Sequence, residues 1–369
     1  MTDATNPSDP FPVEGMHHLE FWVANAKQAA FFYERAYGFV PVAYQGLTTG
    51  VRDRSSYVMQ QGNVRFVLTS PLQAGHEIGA HIETHGDGVR DLAISVPDAR
   101  AAYEHAISKG AVGFREPETI HDESGAVTIA AIRTYGDTIH SLVERGSYAG
   151  AFLPGFEALP IAPDTDFAGV GIKDIDHCVG NTADMNPWVK FYGDVMGFTE
   201  LNQFTDEDIN TEYSALMSKV VSSGDGKVKF PINEPAEAAR KSQIEEYLDY
   251  YGGPGVQHIA LETDDIIATV QALKDRGVPF LGRPGTYYEE AVKRIGPIDE
   301  NWEDLQRLGI LVDKDEEGYL LQIFTGNVQD RPTVFFEIIQ RKGAKGFGDG
   351  NFKALFEAIE AEQALRGNL

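Results

Sequence analysis

Residues 255–262 read GVQHIALE and residues 88–95 read GVRDLAIS, so two stretches far apart in the chain are near-copies of each other. The likeness extends to MHHLEFWVANAKQAAFFYERAYGF (residues 16–39), which aligns without a gap with IDHCVGNTADMNPWVKFYGDVMGF (residues 175–198). Matches that keep a common order along the chain indicate a duplicated structural unit. The sequence therefore predicts two halves built on one plan.

Within each half, short apolar strands alternate with amphipathic helices in an irregular order, which predicts an α+β fold with two βαβββ modules per half. The stretch GSYAGAFLPGFEALPIAPDTD is rich in glycine, proline and small residues, as linkers are. We expect an N-terminal barrel-like domain at residues 1–150, a linker at 151–170 and a C-terminal domain at 171–369. The last 17 residues before the final dipeptide, 351–367, should form an amphipathic helix with an apolar stripe that covers part of the molecule.

Composition limits the classes of partner. The 369 residues carry 31 basic and 56 acidic side chains, a net charge of -25, which opposes binding to nucleic acid or to an anionic membrane. No apolar run approaches the ~20 residues that a membrane-spanning helix needs, and the start MTDATNPSDPFP does not resemble a signal peptide. The single cysteine, Cys178, fits a reducing compartment. We expect a cytoplasmic protein.

The aligned positions of the two halves differ in the metal ligands that they can supply. His177, His258 and Glu337 each lie in a strand-like run. Because side chains alternate along a strand, each shares a face with apolar neighbours: Ile175 and Val179 for His177, Val256 and Ala260 for His258, and Phe335 for Glu337. Two imidazoles and one carboxylate form the ligand set of non-haem Fe(II) oxygenases. The aligned positions of the first half hold His18, Asp91 and Ser141, and a serine does not supply the carboxylate. We therefore expect a metal site in the second half and none in the first.

Alternation also predicts the side chains that share a cavity with this site. Ser218, Asn233 beside Pro231, and Gln322 beside Phe324 would offer neutral hydrogen bonds and ring stacking to a polar aromatic ligand. Each of them is equally compatible with an ordinary polar residue inside a barrel that bonds to its neighbours. Alternation directs Gln257 away from the face of His258 and Cys178 away from the face of His177.

A family resemblance enters with a set of motifs spread over the second half. These are IDHCVGN, EYSALMSKVV, KFPINEPA, KSQI, GVQHIAL, LLQIFT, RPTVFFEIIQR and GFGDGNFKALFEAIE. Together they closely resemble the 4-hydroxyphenylpyruvate dioxygenase family, in particular its bacterial form, over nearly the whole chain. The resemblance implies a vicinal-oxygen-chelate architecture of two barrel-like domains, with Fe(II) in the C-terminal domain.

Carried over position by position, the resemblance implies that His177, His258 and Glu337 bind the iron. It implies substrate-pocket roles for Ser218, Pro231, Asn233, Gln243, Gln257, Gln322, Phe324, Asn351, Phe352 and Phe356. Among these, Ser218, Asn233, Gln322 and Phe352 would take part in catalysis, and Phe352 and Phe356 would belong to a lid helix over the iron. Gln257 is included on the resemblance alone, against its position in the strand.

The family implies conversion of 4-hydroxyphenylpyruvate and O2 to homogentisate and CO2 in tyrosine catabolism, by a dimer or tetramer. The related hydroxymandelate synthase uses the same substrate and is the alternative. It is understood to have a smaller aliphatic residue in place of Phe352 and to lack the pair Pro231 and Asn233, so both features favour the dioxygenase. A glyoxalase-type isomerase, an extradiol dioxygenase and a metal-free binding module on the same scaffold fit the ligand pattern less well.

Overall fold

The computed structural model describes residues 11–161, 168–205, 215–236, 240–282 and 286–368, without the side chains of Thr286, Phe352 and Lys353. In the first half the elements run β1 (Gly15–Trp22), α1 (Ala26–Tyr37), β2 (Val40–Gln45), β3 (Arg54–Gln61), β4 (Val64–Pro71), α2 (Glu77–His85), β5 (Gly88–Ser95), α3 (Ala99–Ser108), β6 (Gly113–Asp122), β7 (Gly125–Arg133), β8 (Ile139–Glu144) and β9 (Glu157–Ala158). The strands form one sheet in the order β6-β7-β8-β5-β1-β4-β3-β2-β9.

The second half repeats this order with additional helices. Its elements are β10 (Ile172–Asn181), α4 (Asn186–Met196), β11 (Thr199–Phe204), β12 (Leu216–Ser222), β13 (Lys229–Pro235), α5 (Gln243–Tyr251), β14 (Gly255–Thr263), α6 (Ile266–Asp275), α7 (Thr286–Ile295), α8 (Trp302–Leu308), β15 (Leu311–Lys314), β16 (Tyr319–Phe324), β17 (Phe335–Lys342) and α9 (Phe352–Arg366). The sheet order is β11-β12-β13-β10-β14-β17-β16-β15.

Strand pairing confirms the duplicated α+β plan. In the first sheet β1 pairs parallel with β4 and antiparallel with β5, and in the second sheet β10 pairs in the same senses with β13 and β14. Both long helices that follow the first strand end at a glycine with positive φ, Gly38 and Gly197, as the alignment of the two halves requires. Each half therefore contains two βαβββ modules, the vicinal-oxygen-chelate arrangement.

The region predicted to link the two domains is not wholly irregular. Glu157 and Ala158 form β9, which pairs with β2 and extends the first sheet. Residues 162–167 of the predicted linker lie outside the described residues. The predicted boundaries at residues 150 and 171 remain a proposal about domain organisation.

A continuous apolar core joins the two halves. Phe66 of β4 stacks on Phe336 of β17 at a centroid distance of 5.8 Å, and Tyr37 of α1 meets the same Phe336 ring at 5.1 Å. Cys178 is buried in this core, on the side of β10 opposite to the cavity, where alternation had placed it. This packing leaves the other face of the second sheet free to enclose a cavity.

Candidate active site

The three predicted ligands lie on neighbouring strands of the second sheet, His177 on β10, His258 on β14 and Glu337 on β17. All three side chains are buried, and their donor atoms lie within 4.8 Å of one another. The Nε2 atoms of His177 and His258 are 3.3 Å and 3.5 Å from Oε2 of Glu337. The structure thus brings together two imidazoles and a carboxylate that the sequence separates by up to 160 positions.

The electrostatics of this group fit a divalent metal. Burial acts to raise the pKa of Glu337, but hydrogen bonds and charge from His177 and His258 outweigh it and lower the pKa to about 2. Burial lowers the pKa of His258, which favours the neutral imidazole that ligates metals. Burial opposes the charged form of His177 as well, but the carboxylates of Asp176 and Glu337 raise its pKa. An ionised carboxylate between two imidazoles is a donor set that can hold a metal ion.

Each imidazole is oriented by the residue that precedes it. Nδ1 of His177 lies 2.7 Å from Oδ1 of Asp176, and Nδ1 of His258 lies 2.9 Å from Oε1 of Gln257. Since the carboxylate and the amide oxygen accept, each Nδ1 carries the proton and each Nε2 is left as the ligand atom. Arg341 in turn donates two bonds to Asp176, of 2.6 Å and 2.9 Å.

Two β-bulges explain this arrangement and correct the prediction from alternation. The β10–β14 register passes from Ile175 opposite Leu261 to His177 opposite Ala260, and from Val179 opposite His258 to Gly180 opposite Val256. Asp176 and Gln257 are the unpaired extra residues, so the alternation of faces shifts at both points. Gln257 therefore lines the cavity, contrary to its predicted orientation, while Ile175 and Val256 pack in the core.

A cavity extends from the three ligands between the second sheet and α9. Among the predicted pocket residues, the structure places Ser218, Pro231, Asn233, Gln243, Gln257, Gln322, Phe324 and Phe356 in its lining. Asn351 is buried behind Gln322 and does not line the cavity, and the side chain of Phe352 lies outside the described residues. The apolar stripe predicted for residues 351–367 covers part of the cavity, which Leu355, Phe356 and Ile359 line.

A chain of hydrogen bonds reaches the metal ligand from outside the cavity. Nε2 of Gln322 donates to Oε1 of Glu337 at 2.9 Å, and Nδ2 of Asn351 donates to Oε1 of Gln322 at 2.9 Å. The hydroxyl of Tyr287 on α7 donates to Oδ1 of Asn351 at 2.6 Å. Asn351 thus acts through Gln322, and the amide orientation of Gln322 is set by partners on both sides.

Aromatic rings fix the planes of the two imidazoles. The His258 ring stacks on Phe335 at 4.8 Å, and the His177 ring meets the edge of Phe347 at 5.2 Å. Residues that the sequence analysis did not assign to the site are Asp176, Phe204, Val220, Arg341 and Phe347. Alternation could have placed Val220 in the cavity, because it lies two positions from Ser218 in β12. Asp176 and Arg341 are 165 positions apart in the sequence, so no local pattern indicates their contact.

Two of the three aligned positions of the first half, Asp91 and Ser141, bond to each other. Ser141 donates from its hydroxyl and its backbone N–H to Asp91, at 2.5 Å and 2.9 Å. Burial raises the pKa of Asp91 to about 7, and burial lowers the pKa of His18 to about 3. The nearest neighbour of the His18 ring nitrogen is Nδ1 of His17 at 2.7 Å, in the place that Asp176 takes beside His177.

Comparison with known proteins agrees with the fold. Residues 7–154 match the family model described as "Hydroxyphenylpyruvate dioxygenase, HPPD, N-terminal", and residues 174–323 match that of the Glyoxalase/Bleomycin resistance protein/Dioxygenase superfamily. The 4-hydroxyphenylpyruvate dioxygenase of Yarrowia lipolytica is 49% identical, covering 100% of this chain and 96% of its own length. That of Xenopus tropicalis is 50% identical, covering 96% of this chain and 92% of its own length.

A solved structure shows the same architecture. A triple mutant of 4-hydroxymandelate synthase from Streptomyces coelicolor superposes with a TM-score of 0.85 at 34% identity, covering 95% of this chain and 99% of its own. Fold and site define a metal-dependent enzyme of the vicinal-oxygen-chelate class. With full-length relatives that are markedly more similar than the synthase, the chain belongs to the 4-hydroxyphenylpyruvate dioxygenase family, and its enzyme function is that of this family.

Proposed function

We propose that the metal at His177, His258 and Glu337 is Fe(II), and that the chain uses it to convert 4-hydroxyphenylpyruvate and O2 to homogentisate and CO2. The observation that carries the proposal is a two-histidine, one-carboxylate group at the end of a buried cavity lined by neutral amides and rings. Three protein ligands leave open positions on an octahedral ion, and this set is the one that non-haem Fe(II) oxygenases use. When bound, Fe(II) supplies the positions and the redox chemistry for a 2-oxo acid and O2.

The lining of the cavity supports a substrate whose acid group binds the metal. Among the described side chains that line it, none is a lysine or an arginine. A carboxylate that entered this cavity would therefore have to be neutralised by the metal ion, because amides and rings do not carry a countercharge. A 2-oxo acid, with adjacent carboxylate and keto oxygens, meets that requirement.

The remaining polar side chains suit the phenol end and the ring. Ser218 and Asn233 lie opposite each other on β12 and β13, and Nδ2 of Asn233 donates to Oδ1 of Asn181 at 3.2 Å. With its amide held from behind, Asn233 lines the cavity together with Ser218 and Gln243. Phe324 and the Pro231 ring supply flat apolar surface for an aromatic substrate. We assign substrate positioning to this group.

Gln322 and α9 have separate roles in the proposal. Gln322 fixes the Glu337 carboxylate by its 2.9 Å bond and would hold it in place as a metal ligand. Leu355, Phe356 and Ile359 of α9 close the cavity with apolar surface and exclude water from the reacting groups. Phe352, which begins α9, is proposed to contribute to the same cover on the family resemblance alone.

The product decides between this reaction and that of hydroxymandelate synthase. Protein reconstituted anaerobically with Fe(II) is mixed with 4-hydroxyphenylpyruvate and O2, and the products are separated by chromatography and identified by mass spectrometry. We expect homogentisate with an equal amount of CO2, and no product from Glu337→Gln. Hydroxymandelate as the main product would assign the chain to the synthase, and the absence of turnover with bound iron would reject both reactions.

We further propose that the protein works in the cytoplasm as a homo-oligomer, a dimer or a tetramer. The acidic composition and the single buried thiol of Cys178 support an intracellular, reducing environment. No helix among the described residues combines the length and apolarity needed to cross a membrane. Sedimentation analysis of the purified protein tests the assembly state, and a monomer at micromolar concentration would contradict it.

A further inference from the structure

A second group of metal-ligating side chains lies in the first half, away from the aligned positions His18, Asp91 and Ser141, although the sequence predicted no metal site in this half. His81 and His85 are one turn apart on α2, and Asp137 lies in the turn between β7 and β8. Donor atoms of the three lie within 4.8 Å of one another, the same criterion that the His177, His258 and Glu337 group meets. Histidines four positions apart on a helix present their rings on one face and recur in zinc sites.

The separations match those of ligands on one ion. Nε2 of His85 is 3.1 Å and Nδ1 of His81 is 3.4 Å from Oδ2 of Asp137. At the active site the corresponding distances to the carboxylate are 3.3 Å and 3.5 Å. Neighbouring ligand atoms of a tetrahedral zinc ion with bonds of ~2.0–2.1 Å lie about 3.3 Å apart. The cluster therefore has the spacing of a ligand set without rearrangement.

The surroundings also resemble those of metal-bound imidazoles. Nδ1 of His85 donates to the backbone carbonyl of Tyr251 at 2.6 Å, which leaves Nε2 as the ligand atom facing Asp137. The His81 side chain is only 3% exposed, so its ring is shielded from bulk water. Nε2 of His81, across the ring from the ligand atom Nδ1, is buried with no partner among the described residues, and an ion at Nδ1 would not supply one.

The exposure of Asp137 and the charge of Arg90 affect how readily and how tightly this cluster would bind an ion. Asp137 is half exposed, with 53% of its side chain accessible, so an ion can enter from solvent and keep a water ligand. The guanidinium of Arg90, held over the Trp22 ring at 4.7 Å, contributes an opposing positive charge to His81. We therefore expect weaker metal binding here than at the active site.

We propose that His81, His85 and Asp137 form a second site for a divalent cation of the zinc type, placed where the two halves of the chain meet. Tyr251, which accepts the bond from His85, is the last residue of α5, and α5 begins with the cavity residue Gln243. Gly136, next to Asp137, approaches the backbone of Pro254 so closely that an added Cβ would lie 2.2 Å from its carbonyl oxygen. A bound ion would thus tie α2 and the β7–β8 turn to the segment that leads into Gln257 and His258.

The test counts zinc ions. Chelator-treated protein is loaded with Zn(II) in the presence of millimolar Mg²⁺, which occupies exposed carboxylates, then desalted and analysed for metal. Since zinc also fits the active-site ligands, wild type should retain two equivalents per chain, His258→Ala one, and His258→Ala combined with Asp137→Asn none. Asp137→Asn alone and His85→Gln alone should retain one. His121→Gln, at an exposed histidine on β6, should retain two.

Each result decides the proposal. One equivalent in the wild type, or two in Asp137→Asn, would overturn it, and neither result would bear on the iron-dependent reaction. Should His85→Gln fail to fold, Asp137→Asn still decides, because this half-exposed side chain contacts the two imidazoles and its removal leaves the helix packing in place. In addition, Co(II) at the site should quench Trp22, whose ring lies 5.1 Å from that of His81, and Asp137→Asn should abolish this part of the quenching.

Discussion

At the scale of single residues, Asp176 determines how His177 faces the metal. Its carboxylate binds Nδ1 of the imidazole and is itself held by the two bonds from Arg341 and by Lys229 at 3.4 Å. Asp176→Asn should lower metal affinity roughly 10–100-fold, the usual cost of losing a group that orients a metal-bound histidine. Titration of the chelator-treated protein with Fe(II) under anaerobic conditions, followed by turnover, measures this affinity.

The control for Asp176→Asn is the same change two residues earlier. Asp174 lies at the start of β10 and its side chain bonds to Asn63 and to the backbone of Ile175, away from the ligands. Asp174→Asn should leave the iron affinity within about twofold, because it touches no ligand. Equal affinities in Asp176→Asn and wild type would show that Arg341 and the aromatic packing orient His177 without the carboxylate.

Gly348 illustrates a residue that matters because it lacks a side chain. It has φ of +83°, and an added Cβ would lie 1.8 Å from Oε1 of Gln322. Gly348→Ala should displace the Gln322 amide, break its bond to Glu337 and reduce kcat/KM by about tenfold or more, equal to at least ~1.4 kcal/mol of transition-state stabilisation. Steady-state kinetics with saturating Fe(II) measure the loss.

Gly367 provides a matched control for the backbone contribution. It also has a positive φ, +75°, at the end of α9, but nothing lies within 4 Å of an added Cβ. Gly367→Ala should cost about 1 kcal/mol of stability through backbone strain and leave kcat/KM unchanged. If Gly367→Ala lowered kcat/KM as much as Gly348→Ala, the effect would come from strain near α9 and not from Gln322.

The convergence of His177, His258 and Glu337 could be predicted from the sequence and the residues that support them could not, for a physical reason. The duplication supplied an internal comparison in which only the second half offers two histidines and a glutamate at the aligned positions. Alternation, however, assumes an unbroken strand, and the bulges at Asp176 and Gln257 each shift the face of the strand by one residue. A bulge is set by pairing with the neighbouring strand, so the single strand carries no local sign of it.

At the scale of elements, an ion pair at the far end of α9 helps to hold this helix against the cavity. Arg366 donates to both carboxylate oxygens of Glu246 on α5, at 3.1 Å and 2.7 Å, and the Glu246 side chain is only 4% exposed. Arg366→Met would remove the ion-pair partner of this carboxylate and leave it the 2.8 Å bond from the Asn368 amide. We expect docking of α9 to weaken by roughly 1–3 kcal/mol, less than for a fully buried pair because the arginine is partly exposed.

The loss should be visible locally before it affects the whole fold. Amide hydrogen exchange of residues 354–366 should accelerate in Arg366→Met, and kcat/KM should fall severalfold because water reaches the cavity more often. Glu362→Gln removes the exposed partner of the same arginine, at 3.7 Å, and should change neither quantity measurably. Unchanged exchange in Arg366→Met would mean that Phe356 and its apolar neighbours hold the helix by themselves.

Sequence patterns did not indicate the strand β6, which lacks buried apolar residues. The strand β6 (GFREPETIHD) is exposed or half-exposed along its whole length, so it has no alternation to detect, and it forms because its backbone pairs with β7 at the edge of the sheet. By contrast, α9 was recognisable from Leu355, Phe356 and Ile359, since an apolar stripe follows from the helical period alone. Patterns thus revealed α9, which buries a face, and missed β6, which depends on its neighbour β7.

At the scale of the whole molecule, the two duplicated halves have different roles. In the second half the aligned positions converge on a cavity, whereas in the first half Asp91 and Ser141 satisfy each other and the same sheet face is closed by packing around Phe152. The first half contributes contacts to the second half, since Oε1 of Gln61 accepts hydrogen bonds from the backbone N–H groups of Val170 and Ile172. Stability of the catalytic half therefore depends on groups that lie in the other half.

His140 makes this dependence sensitive to acid. It lies on β8, donates from Nδ1 to the carbonyl of Leu92 at 2.9 Å, and accepts at Nε2 from the hydroxyl of Tyr192 on α4 at 2.8 Å. Burial lowers the pKa of His140 to about 4, below the ordinary value near 6.5. Protonation of Nε2 would remove the acceptor of the Tyr192 hydroxyl, so the unfolded chain binds this proton more readily than the folded protein.

The sign of the effect follows from that difference in proton binding. Between pH 6.5 and about pH 4 the unfolded state carries more protons at this position, so stability falls as the pH decreases, by roughly 2 kcal/mol at pH 4.5. His140→Asn removes the titrating group and should reduce the loss of unfolding free energy between pH 7 and pH 4.5 by that amount, even if its stability at pH 7 is lower.

Urea unfolding at the two pH values measures the difference, and His121→Asn at the exposed edge should keep the pH dependence of the wild type. An unchanged pH dependence in His140→Asn would assign acid sensitivity to other buried histidines, such as His18, and would show that the contact with Tyr192 tolerates the proton.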